Sequence, residues 1–554
     1  MKKILDWTKY MNAARKVVQE GCVLLENKNN VLPFAKGTKL AVFGRIQNNY
    51  YKSGTGSGGM VNVNHVYGIP EGLKSSGRVV LDSELEQIYA DWEKENPFVI
   101  GEGWGAEPWS QKEMSVSKEL AQKMALKNDA AVVIIGRNAG EDKDNSETEG
   151  SWFLTEEEKT MLKNVRAAFK EVCVVLNTAN IIDMNFIKEL NLDCVLLTWQ
   201  GGMVGGLGIA DILTGKASPS GKLTGTIARN ISDYPSSKNF GDEIENVYEE
   251  DIYVGYRYFE SAAKDKVLYP FGYGLSYTDF SIEEKDFNLD FGSDIPRIGI
   301  TVNVKNTGNS FGKETVQIYV KQPQGKLGKP ALVLADFKKT SLLKKGKSEK
   351  VSFDFSLSRV RSFDDTGATG NIDCFVLEKG KYEFFAGNNV ENIFKIGEVL
   401  LDETIVTEKV SEALKPVKSF ERLKSCGAKD DGQVIFENEK IKAVSPYQNA
   451  HRQEELKKLE DFFKDESIDK ESLSIAQSLS DEDLACIIRG EGMGSPKVTP
   501  GTAGAFGGVS DSLKAKGIPC ACCTDGPSGI RLDSGAQAFS LPNGTLEACT
   551  FNPE

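Results

Sequence analysis

The sequence predicts a multidomain α/β protein in which an α/β layered domain is followed by a β-sandwich of immunoglobulin-like type. Three observations carry this. The chain of 554 residues is too long for one core at ~100–200 residues per domain, which points to about three domains. Nearly continuous apolar runs alternate with amphipathic helical patterns up to about residue 225, and beyond about residue 280 the hydrophobic period changes to two.

In residues 1–225 the apolar runs are Lys39–Phe43, Ala130–Ile135, Val172–Leu176 and Cys194–Leu197. Such runs suit parallel strands covered on both faces. The clearest helical pattern spans Glu156 to Phe169, where Met161, Leu162, Val165, Ala168 and Phe169 share a face and Thr155 with Glu158 forms a capping box. Residues 226–280, rich in Tyr, Phe and Gly, read as an irregular bridge. Residues 281–404 read as the β-sandwich, with strands at Thr301–Lys305, Thr315–Val320, Lys350–Phe355 and Tyr382–Ala386 and a turn at Gly308-Asn309. Residues 405–470, charged and Lys/Glu-rich, read as a linker with helical pattern. In 471–554 a helix Asp481–Arg489, capped by Ser480 and Asp483, precedes a Gly-rich stretch, Gly490 to Gly508, and a strand at Cys520. The last residues, Phe551-Asn-Pro-Glu554, are expected to fall within a unit just begun, with no terminal helix or turn to close it.

Composition narrows the function classes. A net charge of −13 disfavours nucleic acid and anionic membrane as partners, since both need clustered positive charge. No apolar run reaches the ~20 residues that span a bilayer. Asp6 and Lys9 interrupt the start of the chain before an apolar signal segment can form, so the protein is read as cytoplasmic. Of the ten cysteines, Cys173, Cys194 and Cys374 lie in apolar runs, as buried reduced thiols do. Cys520-Ala-Cys-Cys523 lacks further ligands at zinc spacing, with His65 and His451 the only histidines, and is read as a buried strand in preference to a metal site.

Three loops could carry chemistry. The loop after Ala130–Ile135 holds five carboxylates, Glu141, Asp142, Asp144, Glu147 and Glu149. Cleaving a glycosidic bond needs a carboxylic acid to protonate the leaving oxygen, although a solvated acidic loop has the same composition. An EF-hand started at Asp142 fails, because Glu147 falls where Gly is needed and Phe153 where the bidentate Glu belongs. Gly54-Thr-Gly-Ser-Gly-Gly59 matches G-x-G-x-x-G in letters, but it is separated from the preceding strand and no helical pattern follows it. That leaves close approach of backbone to a ligand, or a flexible loop. Asp525, in Thr524-Asp-Gly-Pro-Ser-Gly-Ile-Arg531, is either a ligand-binding carboxylate at a strand end or a turn residue bonding its own backbone.

Three further stretches resemble glycoside hydrolase family 3. They are Gly201-Gly-Met-Val-Gly-Gly-Leu-Gly-Ile-Ala-Asp-Ile-Leu-Thr-Gly215 with Ser218-Pro-Ser-Gly-Lys-Leu223, Tyr248-Glu-Glu-Asp-Ile-Tyr-Val-Gly-Tyr-Arg-Tyr258, and Pro270-Phe-Gly-Tyr-Gly-Leu-Ser-Tyr-Thr278. The resemblance implies an α/β sandwich domain, a fibronectin type III-like domain and a (β/α)8 TIM barrel, here in the rearranged order with the barrel last. Gly517-Ile-Pro519, Thr524-Asp-Gly-Pro527 and Leu541-Pro-Asn-Gly-Thr545 look like the start of that barrel, which would make the chain a fragment cut before the nucleophilic Asp. It further implies a retaining, exo-acting β-glucosidase needing no metal or organic cofactor, whose acid/base is Glu141 in Asn138-Ala-Gly-Glu141, with Glu147 and Glu149 as alternatives because the usual continuation is replaced by Asp142-Lys-Asp144. Asp525 and Arg531 would hold hydroxyls of the terminal glucose, and Ser57 would reach into the same subsite. A β-xylosidase or another exo-glycosidase, and a non-catalytic carbohydrate-binding fragment, are the alternatives; a homo-oligomer is compatible with all of them.

Overall fold

The computed structural model describes residues 6–103, 105–410, 414–429, 432–444, 469–498, 502–531 and 535–554. Its first unit is built on a six-stranded sheet. The strands are β1 (Val23–Asn27), β2 (Lys39–Phe43), β3 (Val80–Leu81), β4 (Ala130–Arg137), β5 (Val172–Thr178) and β6 (Cys194–Leu197), in the spatial order β1-β6-β5-β4-β2-β3. Neighbours from β3 to β6 run parallel, and β1 closes the far edge antiparallel to β6. Every residue of β4 and β5 is buried, as the uninterrupted apolar runs require. The helices α1 (Trp7–Gly21), α2 (Ile69–Ser76), α3 (Ser83–Glu95), α4 (Lys118–Ala125), α5 (Glu156–Ala168), α6 (Phe186–Glu189) and α7 (Gly205–Leu213) complete this unit. The capping box of α5 forms with Thr155 and Glu158 as the spacing predicts, and Met161, Leu162 and Val165 point into the core. Connections leaving β2 run outward to β3, whereas β4, β5 and β6 succeed one another in the opposite direction. The order therefore reverses between β2 and β4, and loops leaving the carboxyl ends of these two strands bound a crevice.

Residues 226–280 contain 3-10 turns, a short helix Tyr256–Ala262 and a two-stranded ladder joining Ile227–Ala228 to Val267–Tyr269. The sandwich that follows packs a three-stranded sheet (Phe280–Asp290, Arg297–Asn306, Ser348–Ser356) against a four-stranded one (Thr315–Lys321, Val333–Lys339, Gly380–Gly387, Ile393–Leu401). The period of two explains its core: Ile298, Ile300, Val302 and Val304 alternate inward from one sheet to meet Val316, Ile318, Val320, Tyr382 and Phe384 from the other.

Three expectations need correction. The described part of 405–470 is β rather than helical, with strands Ile405–Lys409, Phe420–Ala428 and Val434–Ile441; residues 445–468 lie outside the described residues. Lys and Glu favour helices, but here they pair across a hairpin, Arg422 with Glu439 at 2.7 Å and Lys424 with the same carboxylate. Residues 535–554 also end in order. Helix Gly544–Cys549 sends Leu546 and Cys549 into the core of the first unit, and Phe551 packs against Phe271 and Phe337.

Between these, residues 469–531 form the helices Lys470–Gln477 and Asp481–Arg489, the second capped by Ser480 as expected, and a small antiparallel sheet of Glu491–Gly492, Gly504–Gly507 and Cys520–Cys523. Cys520, Cys522 and Cys523 are exposed rather than buried, because their strand is at the sheet edge. Among the described residues no group of three or more His, Cys, Asp or Glu side chains could hold a metal ion, and no helix is long and apolar enough to cross a membrane.

Candidate active site

The acidic loop leaves β4 and the Gly-rich loop follows β2, so the topological reversal brings them side by side. Thr55 and Gly140 extend the sheet by an isolated parallel bridge, with Thr55 N–H donating to Ala139 O at 2.9 Å. A Cβ on Gly54 would stand 2.3 Å from Ala139 O, so glycine is what permits this approach. The loop then turns through Gly56–Gly58 as a single 3-10 turn, and the next α-helix starts only at Ile69. It does not cap a helix, which removes the dinucleotide reading.

At this turn the backbone N–H of Ser57 donates to Glu141 Oε2 at 3.2 Å, and Thr55 Oγ1 donates to Glu141 O at 3.2 Å. The structure thus joins two residues 84 apart in sequence. Gly56 lies under the carboxylate with φ of +70°, and a Cβ there would be 2.5 Å from Glu141 Oε2. Glu141 itself is exposed. The alternatives sit elsewhere: Glu149 is 3.6 Å from Lys159, and Glu147 lines a separate cavity of about 710 Å³ with Trp152 and Trp199.

Asp525 and Arg531 also come together. Arg531 Nη1 is 3.3 Å from Asp525 Oδ2, the Arg531 N–H donates to Asp525 O at 2.8 Å, and Gly526 N–H donates to Asp525 Oδ1 at 2.7 Å. Asp525 is therefore a turn residue bonding its own backbone and a carboxylate held by an arginine at once. This turn reaches the Gly-rich loop, since a Cβ on Gly58 would lie 3.5 Å from the Pro527 ring.

Several supporting residues carry no sequence motif. Arg137, at the end of β4 and 2% exposed, pairs twice with Glu158 at 2.6 Å and donates to Ser151 O and Phe153 O, closing the base of the acidic loop. Asn177 of β5 accepts from Tyr51 N–H at 2.9 Å and donates to Tyr51 O at 3.0 Å, fixing the entry to the Gly-rich loop. A polar residue at the end of a continuous apolar run is the signal that could have found both. Glu107 lines a cavity of about 940 Å³ with Tyr51, Lys52 and Gly56. Burial pushes its carboxyl up to about 7 against the opposing pull of Asn138, Lys143 and Lys52.

Comparison with known proteins accords with this architecture. Residues 22–277 match the glycosyl hydrolase family 3 C-terminal domain and residues 314–390 a fibronectin type III-like domain. A β-glucosidase of Ruminococcus albus is 47% identical over 99% of this chain and 57% of its own length, and β-glucosidase A of Butyrivibrio fibrisolvens is 33% identical over 99% of this chain and 72% of its own. The crystal structure of a β-glucosidase from Paenibacillus barengoltzii superposes with a TM-score of 0.92 at 45% identity, covering 99% of this chain and 61% of that one. The chain thus spans little more than half the length of the Ruminococcus relative.

The α/β layer that carries the carboxylate loop at its sheet reversal, and the sandwich beside it, are the two units those family descriptions match. The chain belongs to glycoside hydrolase family 3.

Proposed function

We propose that these residues supply the acid/base part of a retaining, exo-acting β-glucosidase that releases terminal β-D-glucosyl residues from β-glucosides or cello-oligosaccharides. The observation that carries this reading is the Glu141 carboxylate, exposed at the sheet reversal and fixed by the Ser57 N–H, in a chain 47% identical to a β-glucosidase. Glu141 protonates the leaving oxygen while a carboxylate nucleophile forms the glycosyl-enzyme. As carboxylate it then takes a proton from the water that attacks the anomeric carbon and releases the nucleophile.

The nucleophile is expected from a TIM barrel whose first part is residues 471–554, and Asp525 and Arg531 grip hydroxyls of the glucose. The 554-residue polypeptide alone is then inactive. A reducing, cytoplasmic setting suits the exposed thiols of Cys520, Cys522 and Cys523.

The test is a chimera in which the part of the Ruminococcus protein that this chain does not match is joined to it. It should hydrolyse 4-nitrophenyl β-glucoside, and the 554-residue polypeptide should not. Glu141→Gln should lower the chimera's turnover by roughly 10²–10⁴-fold. Faster cleavage of the β-xyloside would make it a xylosidase instead, and an active Glu141→Gln chimera would move the acid to another carboxylate.

A further inference from the structure

A general acid works only if its proton is held within a fraction of an ångström of the leaving oxygen. Glu141 stands on a loop whose flanking residues, Gly140 and Asp142, have φ of +147° and +57°, and the Ser57 N–H holds only its side chain. Thr55 bonds the backbone at Ala139 O and Glu141 O, and further out Trp109 grips it on both sides. The Trp109 carbonyl accepts from Asn138 N–H at 2.7 Å, its indole N–H donates to Asp144 O at 2.9 Å, and Lys143 Nζ sits 4.9 Å from its ring centroid. The loop is thus fixed three residues before and three residues after Glu141.

Trp109 has a firm base of its own. Arg45, 2% exposed, donates to Lys112 O at 2.9 Å and Asn96 O at 3.1 Å, tying both ends of the 96–112 segment to the turn after β2. Within the segment, Gln111 accepts from Val99 N–H at 2.9 Å and donates to Val99 O at 2.7 Å. The 96–112 segment is therefore bonded to the buried Arg45 at its two ends and, through Trp109, to both flanks of the acid/base. Gly105 of the same segment lies against Glu141, a Cβ there falling 3.4 Å from the Glu141 carbonyl oxygen.

We propose that Trp109 is a positioning residue for proton delivery by Glu141, an assignment that rests on Glu141 being the acid/base. It touches no reacting atom. Its effect belongs to reactions in which the leaving group needs a proton.

Trp109→Phe keeps a ring beneath Lys143 and deletes the indole N–H; Lys143→Met does the reverse. In the 554-residue polypeptide, hydrogen exchange at the Asn138 and Lys143 amides should quicken about tenfold in Trp109→Phe, the scale of one lost hydrogen bond, with an unchanged melting temperature. Unchanged exchange in both variants overturns the proposal. In the chimera, Trp109→Phe should lower kcat/KM about tenfold for cellobiose, whose leaving sugar needs the proton. It should leave 2,4-dinitrophenyl β-glucoside, whose leaving group does not, within about twofold. Equal losses on both substrates also overturn the proposal, since they indicate a general structural role. An inert parent chimera would sink the glucosidase reading, while the exchange measurement would still decide whether Trp109 holds this loop.

Discussion

Gly56 combines two demands in one residue: a left-handed backbone and a vacant space beneath the Glu141 carboxylate. A left-handed alanine costs roughly 1–2 kcal/mol, and its methyl group would have to displace the carboxylate. Gly56→Ala should therefore lower the melting temperature of the 554-residue polypeptide by a few degrees. In the chimera it should reduce turnover of cellobiose more than tenfold, because a misplaced acid costs about that much or more. A normal rate on cellobiose would mean that Glu141 does not act from the position seen here. The candidate carboxylates were legible in the sequence, and the Asn138-Ala-Gly-Glu141 resemblance put Glu141 first, but the contact that sets it apart was not. Glu141, Glu147 and Glu149 have the same chemistry and nearly the same neighbours along the chain; they differ in whether a backbone N–H from 84 residues away reaches them.

The element that keeps the acidic loop in register is α5 together with the end of β4. Arg137 and Glu158 form a bidentate pair with side chains 2% and 5% exposed, and Glu158 also closes the capping box. Removing one partner of such a pair leaves the other charge buried alone, at a cost of about 3–5 kcal/mol. Glu158→Gln should lose stability on that scale in urea denaturation, and Arg137→Met with Glu158→Leu together should lose less than the single variant. Elements whose period reports their burial were legible from sequence: α5, β4, β5 and the sandwich strands. The hairpin Phe420–Ala428 with Val434–Ile441 was not, because its Lys and Glu residues suit an exposed helix equally well and the deciding term is cross-strand charge pairing. The same holds for Cys520–Cys523, where an apolar composition sits at an exposed edge.

Across the whole molecule, charge is buried where the sandwich, the first unit and residues 535–554 meet. Lys313 is 2.6 Å from Glu20, Lys339 is 4.0 Å from it, and Asn552 donates to it at 3.1 Å. Burial lowers the Lys339 ammonium from 10.5 to about 7, with Glu20 pulling it back up. Below about 7 both folded and unfolded chains hold this proton and the burial penalty is complete. Between about 7 and 10.5 the unfolded chain holds more protons, so stability rises with pH. Lys339→Met should accordingly melt above the parent at the lower end of this window, and the difference should narrow as pH increases. A constant difference in calorimetry would mean that the lysine keeps an ordinary affinity for its proton. The junction has one more consequence. Asn552 bonds Glu20 across 532 residues of sequence, and Leu546 fills a core begun by β1. During synthesis on a ribosome, Glu20 and the strand β1 must wait while the 532 residues separating Glu20 from Asn552 are translated before these neighbours emerge. The nascent chain spends that interval with apolar surface uncovered, when chaperones have most to protect.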